Sequence, residues 1–328
     1  MVQRKKNSAF AIYNILKEYA DEDHPISQSE LAKKLETLYQ IKLERRAIYS
    51  NIDMLKEMNI EISTWNDNNK GYYLSNRQFS EGEVTLLCNE IHASHFIPKD
   101  ESNKLIKTLL ETQPHSFRKE FHEQIFLDNK RKTACPEIID NFRSVSDAIN
   151  KQQKIAFDYM KYDDDLKLSK YNNEGKWIAS PYYIVNDKER TYVIMLLERN
   201  NETFLRHLRI DHMKDIQLLD IPAQEKPKQL GQDAYQYADS ALFMFNDKTI
   251  DVELRCKKNV ISQMIDEFGM IPVYIKEGDS YRFTVSTTRR GILIFAQQYL
   301  DSVEIISPPD LRNEFREKLL RALQKYSQ

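Results

Sequence analysis

Cysteine, glycine, long apolar runs and any excess of charge are all scarce in this chain of 328 residues. The three cysteines, Cys88, Cys135 and Cys256, stand far apart and form no CxxC pair. That excludes a zinc ribbon or a disulfide framework, and it fits a reducing compartment. Each thiol reads as a small buried hydrophobe. Only 7 Gly and 10 Pro exclude collagen-like and low-complexity classes. Lysine and arginine number 48 against 50 acids, a net charge of −2, so the molecule as a whole does not attract nucleic acid or acidic membranes. A local basic face is compatible with that sum. The longest apolar runs, such as Tyr192–Leu197, are too short to span a bilayer. The basic start, MVQRKKNSAF, is not followed by an apolar stretch, so no signal peptide and no membrane partner are expected, and the chain reads as cytoplasmic. It has no internal repeat, no Walker A loop and no GxGxxG after a strand.

What is present is 41% hydrophobic residues, with 18 Tyr and 15 Phe, enough for two or three cores. Helical spacing dominates the first third. Ala9, Ile12, Ile15, Leu16 and Tyr19 form one apolar face over Ser8–Ala20. Ser27 or Ser29 caps a second helix through Leu38, with Leu31, Leu35 and Leu38 inside. A third helix, Glu44 to Met58, turns Ile48, Ile52, Leu55 and Met58 inward. Two β-prone runs, Ile60–Trp65 and Tyr72–Leu74, flank an Asn/Asp/Gly cluster and predict a hairpin. Three helices and a hairpin make a winged helix-turn-helix. Residues 79–135 read as helical with a break near Pro98. From Lys154 strands take over (Ile155–Tyr159, Trp177–Val185, Thr191–Leu197, Phe204–Met213). After a Pro/Lys/Gln linker, strands and helices mix to the end.

Two constellations carry candidate chemistry. On the third helix Arg45, Arg46, Tyr49 and Ser50 point outward with Asn51 near the edge of that face. Arginine reads guanine edges or phosphates, asparagine reads adenine, and serine or tyrosine anchors phosphate. Lys70, at the tip of the predicted wing, offers a cation to the adjacent backbone or minor groove. Near-balanced charge over residues 1–60 shifts weight from nonspecific to specific contacts. The second constellation is Thr203–His212. Strand alternation sets Arg206 and Leu208 on one side, His207 and Arg209 on the other. Beside Tyr182, Tyr183 and Tyr192 these cations read equally as a site for a phosphate or stacked base and as an ordinary charged strand edge.

Ser180 to Val193 followed by Arg206-His-Leu-Arg-Ile-Asp-His-Met213 resembles the WYL-domain family of bacterial transcription regulators. The family's Trp-Tyr-Leu triplet falls on Thr191-Tyr192-Val193, keeping only the tyrosine. Its Arg-His-Phe-Arg motif falls on Arg206–Met213, with Leu208 for Phe and His212 for the final Arg. The resemblance covers nearly the whole chain. It implies an α+β multidomain fold: winged helix-turn-helix (1–76), helical linker (77–136), Sm-like β-barrel WYL domain (137–222), linker (223–248) and a small α/β C-terminal domain called WCX (249–328). It further implies a homodimer on double-stranded operator DNA and a pocket for a nucleotide or oligonucleotide effector. Ser180, Tyr182, Tyr192, Arg206, His207 and Arg209 would line that pocket, and no cofactor is implied. Regulators of this layout often repress phage-defence operons, and activation by single-stranded DNA is the alternative.

Catalysis finds little support. Asp163-Asp-Asp165 beside Lys161 and Lys167 reads as a solvated turn more readily than as a divalent-metal site for a nucleic-acid-processing effector. His207 and Asp211 have no serine or cysteine nucleophile in a recognisable setting. Arg289-Arg290 reads as an exposed turn or as a basic loop for ligand or partner.

Overall fold

The computed structural model describes residues 2–121, 132–133, 135–171, 175–187, 189–199, 202–231, 242–245, 247–269 and 274–327. The chain divides into two compact units, Met1–Ala134 and Cys135–Gln328. Residues 122–131 of the expected helical stretch and 232–241 of the expected second linker lie outside the described residues.

In the first unit α1 (Val2–Tyr19) buries Ile12, Ile15 and Leu16 against α2 (Gln28–Tyr39) and α3 (Arg45–Glu57). Of the two candidate caps Ser27 starts α2. Its hydroxyl accepts from the Glu30 amide, while the Glu30 carboxylate accepts from the Ser27 amide at 2.9 Å. Leu38 and Met58, expected inside, are 49% and 66% exposed, because each sits at a helix end beyond the packed face. The hairpin is shorter than predicted. β1 (Ile62–Ser63) pairs antiparallel with β2 (Tyr73–Leu74), and the one-turn α4 (Trp65–Asn68) lies between them. Trp65 leaves the strand because the Asp67 carboxylate accepts from the Thr64 amide and hydroxyl, at 2.8 and 2.7 Å, closing a helical turn. The hairpin is tied back to the segment before α2 by paired amide–carbonyl bonds between Ile26 and Tyr72. That close approach requires Gly71, since a Cβ there would fall 2.5 Å from the Ile26 carbonyl oxygen.

Helices α5 (Glu81–Ala93), α6 (Lys99–Leu110) and α7 (His115–Phe121) follow, with a small core of Val84, Cys88, Leu110 and Phe121. They are fastened to α1. The Arg77 guanidinium donates to the carbonyls of Leu16, Lys17 and Ala20 at the C-terminal end of α1, and to Thr112 beyond α6. Ser116 donates to Asp21 at 2.6 Å, and Arg118 pairs with Glu18.

The second unit opens with α8 (Ile138–Lys151), which packs on a six-stranded antiparallel sheet. Its strands are β3 (Gln153–Tyr162), β4 (Leu168–Lys170), β5 (Trp177–Asp187), β6 (Arg190–Arg199), β7 (Glu202–Arg209) and β8 (Met213–Pro222). The order is β4-β3-β5-β6-β7, with β8 also on β3. β3 is central, so Ile155–Asp158 are all buried. The sheet curls into a half-barrel, with β7 laddered to β6 and β8 to β3. Beyond it β9 (Thr249–Lys257), α9 (Ile261–Phe268), β10 (Tyr274–Glu277), β11 (Ser280–Thr288), α10 (Arg289–Gln298), β12 (Val303–Ser307) and α11 (Pro309–Tyr326) build an antiparallel sheet of order β10-β11-β9-β12 under three helices. Leu254, Met264, Ile292, Phe295 and Leu311 fill its core. No helix among the described residues is long and apolar enough to cross a membrane. All three cysteines are buried, which pushes their thiols up, to about 11 for Cys135 and about 12 for Cys256.

Candidate nucleic-acid interface and ligand face

Helical geometry sorts the polar residues of α3. With Ile48, Ile52 and Leu55 buried, Arg45, Arg46, Tyr49 and Ser50 are exposed together. Asn51 does not join them. It is 4% exposed, accepts from the Ser8 hydroxyl at 2.9 Å and donates to the Ala47 carbonyl at 2.6 Å. It lies just before Ile52 and three residues after Ile48, so it sits on the packed side of the face boundary and fastens α3 to α1. It is not available to a base.

The exposed face lines a groove of about 590 Å³. Ser27 and Ser29 at the start of α2, Arg45 and Tyr49 of α3, and Trp65 and Tyr72 of the hairpin line it. Arg45 is preorganised there, its Nε and Nη2 donating to the Tyr49 hydroxyl at 3.2 and 3.1 Å. Those bonds hold the Tyr49 phenol below its ordinary range. Burial and a hydrogen bond to Tyr49 hold Tyr72 above its own. At the tip Asn68 accepts from the amides of Lys70 and Gly71, leaving the Lys70 side chain exposed. Trp65, 56% exposed, was not among the residues singled out by sequence. The Thr-x-x-Asp spacing that turns it out of the strand was the available signal.

In the half-barrel the register sorts the second constellation. Tyr192 stands opposite Arg209 and Ile194 opposite His207, on one face of β6 and β7, while Arg206 stands opposite Met195 on the other. Arg206 is therefore not brought together with the others. Its guanidinium lies 5.1 Å from the Phe204 ring and donates to the Leu205 carbonyl. On β5 the register shifts between Pro181 and Tyr183. This bulge turns Tyr182 and Tyr183 to the same apolar cluster, with Val185, Tyr192, Ile194 and Leu205.

The polar atoms of this face are engaged within the chain. The Ser180 hydroxyl accepts from the Gln224 amide at 2.9 Å, and Tyr182 donates to the Gln224 carbonyl at 3.1 Å. His207 donates through Nδ1 to the Met244 carbonyl at 2.8 Å. Arg209 makes a two-pronged pair with Asp211, at 3.0 and 2.6 Å, and the Asp211 side chain is 2% exposed. Burial pushes the Tyr182 phenol up to about 12 and raises that of Tyr192. Tyr159, whose hydroxyl accepts from the Arg209 amide, adjoins the cluster and leads to Trp177, stacked on it at 5.2 Å between ring centres.

Burial also holds the His207 and His212 imidazoles below their ordinary range. The fold keeps them neutral where the unfolded chain protonates them, so the unfolded state binds more protons. Stability then falls as pH drops below about 6.5. Thermal unfolding of the full chain between about pH 7.5 and 5 should show Tm decreasing with acidification, and less so in His212→Gln. A Tm flat across that window contradicts the burial of both rings.

Elsewhere, Asp163 Oδ1 accepts from the amides of Asp165 and Lys167, closing the β3–β4 turn on itself. No group of three His, Cys, Asp or Glu able to hold a metal ion occurs among the described residues. Arg289 is paired with Asp310 and Glu314, and Arg290 with Asp247.

Residues 140–218, from α8 to β8 of the half-barrel, match the family model described as the WYL domain. Two solved structures are similar to the chain. Proteasome accessory factor B/C (PafBC) of Arthrobacter aurescens is 14% identical over 98% of this chain and 49% of its own, with a TM-score of 0.28. This chain thus spans about half its length. A CRISPR Cas-related protein is 13% identical over 77% of this chain and 75% of its own, with a TM-score of 0.38. Comparison with curated proteins gives no match.

Proposed function

We propose that this protein is a ligand-responsive, DNA-binding transcriptional regulator, acting as a homodimer and most directly as a repressor. Residues 1–76 are read as a winged helix-turn-helix that docks double-stranded operator DNA. Arg45, Arg46, Tyr49 and Ser50 enter the major groove, and Lys70 and Trp65 meet the neighbouring backbone. Residues 77–136 link the halves, 137–222 sense the effector, 223–248 connect onward, and 249–328 form a WCX-type domain. The observation that carries the reading is the exposed Arg45–Arg46–Tyr49–Ser50 face held beside the hairpin, in a chain that also contains a WYL domain. Exposed arginines on a helix next to a hairpin tip fit a duplex better than they fit any apolar partner.

The effector is read as a nucleotide or oligonucleotide. Tyr182, Tyr183 and Tyr192 offer ring faces, His207 a donor, and Arg209 a planar cation at one end of the same sheet face. Transmission would run through α5–α7, which Arg77, Ser116 and Arg118 lock to α1. A change in the spacing of two recognition helices alters the fit to a two-fold operator. The test is fluorescence anisotropy with the full chain and the DNA upstream of its own gene, against a scrambled duplex. Tight binding to the first alone is expected. Equal binding that vanishes with salt would mark a nonspecific phosphate footprint and remove the operator reading.

A further inference from the structure

The face read as the effector site is covered by the protein's own chain. After β8 the segment runs back across β5, β6 and β7. Gln224 donates to the Ser180 hydroxyl, and the carbonyls of Gln224 and Glu225 accept from Tyr182 at 3.1 and 3.4 Å. The Lys226 ammonium reaches the Tyr183 hydroxyl at 2.7 Å and lies 5.1 Å from its ring centre. That hydroxyl in turn donates to the Gly231 carbonyl. Leu230, 1% exposed, and Met244, 6% exposed, press on Val185 and Ile194. The Met244 carbonyl accepts from His207 Nδ1.

The pattern is that of a ligand on a receptor. Two phenols and an imidazole of the sheet donate to four carbonyls of the covering chain. In the other direction Gln224 donates to the Ser180 hydroxyl and the Glu198 carboxylate, and Lys226 to the Tyr183 hydroxyl. The phosphate and base oxygens of a nucleotide can accept where the four carbonyls do. The cover is also lightly held. Among its described residues it forms single 3-10 turns at Lys228–Leu230 and Leu242–Met244, and Leu230 and Met244 are the buried apolar side chains there. Few buried apolar contacts and isolated hydrogen bonds place a segment at the low end of local stability.

We propose that residues 223–231 and 242–244 act as an intramolecular occupant of the effector face, a strap that an incoming nucleotide or oligonucleotide must displace. The proposal rests on reading this face as the sensor site. Its consequence is a tax on affinity: the wild-type chain binds effector only through the fraction of molecules with the strap released. Weakening the strap from its own side, without touching the sheet, therefore strengthens effector binding.

The experiment uses the full chain and fluorescein-labelled single-stranded dT12, with amide hydrogen exchange followed in parallel. Leu230→Ser removes the buried anchor, and Lys226→Ala removes an exposed one and leaves the cluster intact should the first variant fold poorly. Leu230→Ser should bind dT12 about tenfold more tightly than wild type, and Lys226→Ala more tightly by a smaller factor. In wild type, unlabelled dT12 should accelerate exchange of the amides of residues 224–231. If exchange of 224–231 rises in the variants while dT12 affinity is unchanged from a measurable wild-type value, the strap is not a competitor. The sensor reading would survive that result. If neither wild type nor variants bind dT12 with the strap demonstrably released, both the strap and the sensor reading fall.

Discussion

Arg45→Ala is expected to lower affinity for the upstream duplex by about tenfold to a hundredfold per half-site, and to leave thermal stability unchanged. The guanidinium is exposed, bonded to the Tyr49 hydroxyl and 5.6 Å from its ring centre, so its removal opens no cavity. What disappears is a planar fork already oriented by the residue one turn along the helix. A bidentate arginine–guanine contact discriminates by that factor, and the proposed dimer would lose it twice. Lys70 at the wing is different in kind: as a phosphate contact its loss would weaken specific and scrambled DNA alike and flatten the salt dependence. Asn51→Ala serves as the contrast. It removes the buried hydrogen bond from Ser8, 43 residues away, and the one to Ala47, so Tm should fall while the preference for one sequence persists. Anisotropy and thermal unfolding on the two variants check this. Normal affinity in Arg45→Ala would remove that residue from the interface.

The second large effect is expected at Arg209, and it is one of stability. Its partner Asp211 is almost fully buried, with both carboxylate oxygens held by the one guanidinium. Truncation to alanine leaves a buried carboxylate without its cation, which costs about 3 kcal/mol. In a unit of this size that corresponds to a fall in Tm of roughly 10 °C. The pair, not the arginine alone, is the structural element, so Arg209→Ala combined with Asp211→Ala should be milder than Arg209→Ala by itself. Urea unfolding of the single and double variants measures the difference. If the single variant is as stable as wild type, Asp211 is solvated and the ion pair is not holding the end of β7. This also means that loss of effector response in Arg209→Ala must be read together with its unfolding curve.

Much of this was legible in the sequence because it depends on short-range pattern. The spacing of Ile12, Ile15 and Leu16, and of Ile48, Ile52 and Leu55, marked helices that do pack on one another. Strand alternation separated Arg206 from His207 and Arg209, as the β6–β7 register does. The resemblance, which gathered all three into one pocket, did not respect that alternation, and the register returns Arg206 to the far side. What sequence did not reveal depends on distant partners. Asn51 became structural through Ser8, Arg77 through the carbonyls that end α1, and the effector face was closed by residues 37 to 48 positions away in the chain. The bulge that turns both Tyr182 and Tyr183 to one side also has no local signature, since it arises from pairing with β6.

In the proposed regulator one chain reads DNA with its first unit and is instructed through its second. The most direct measurement is the affinity of the full chain for the upstream duplex, with and without saturating dT12, at fixed salt. A coupling of at least about fivefold, present for the upstream sequence and matched by an equal change in dT12 affinity when the duplex is saturating, is the predicted result. Duplex affinity that stays the same while dT12 is demonstrably bound would contradict it, leaving two binding units with no energetic link.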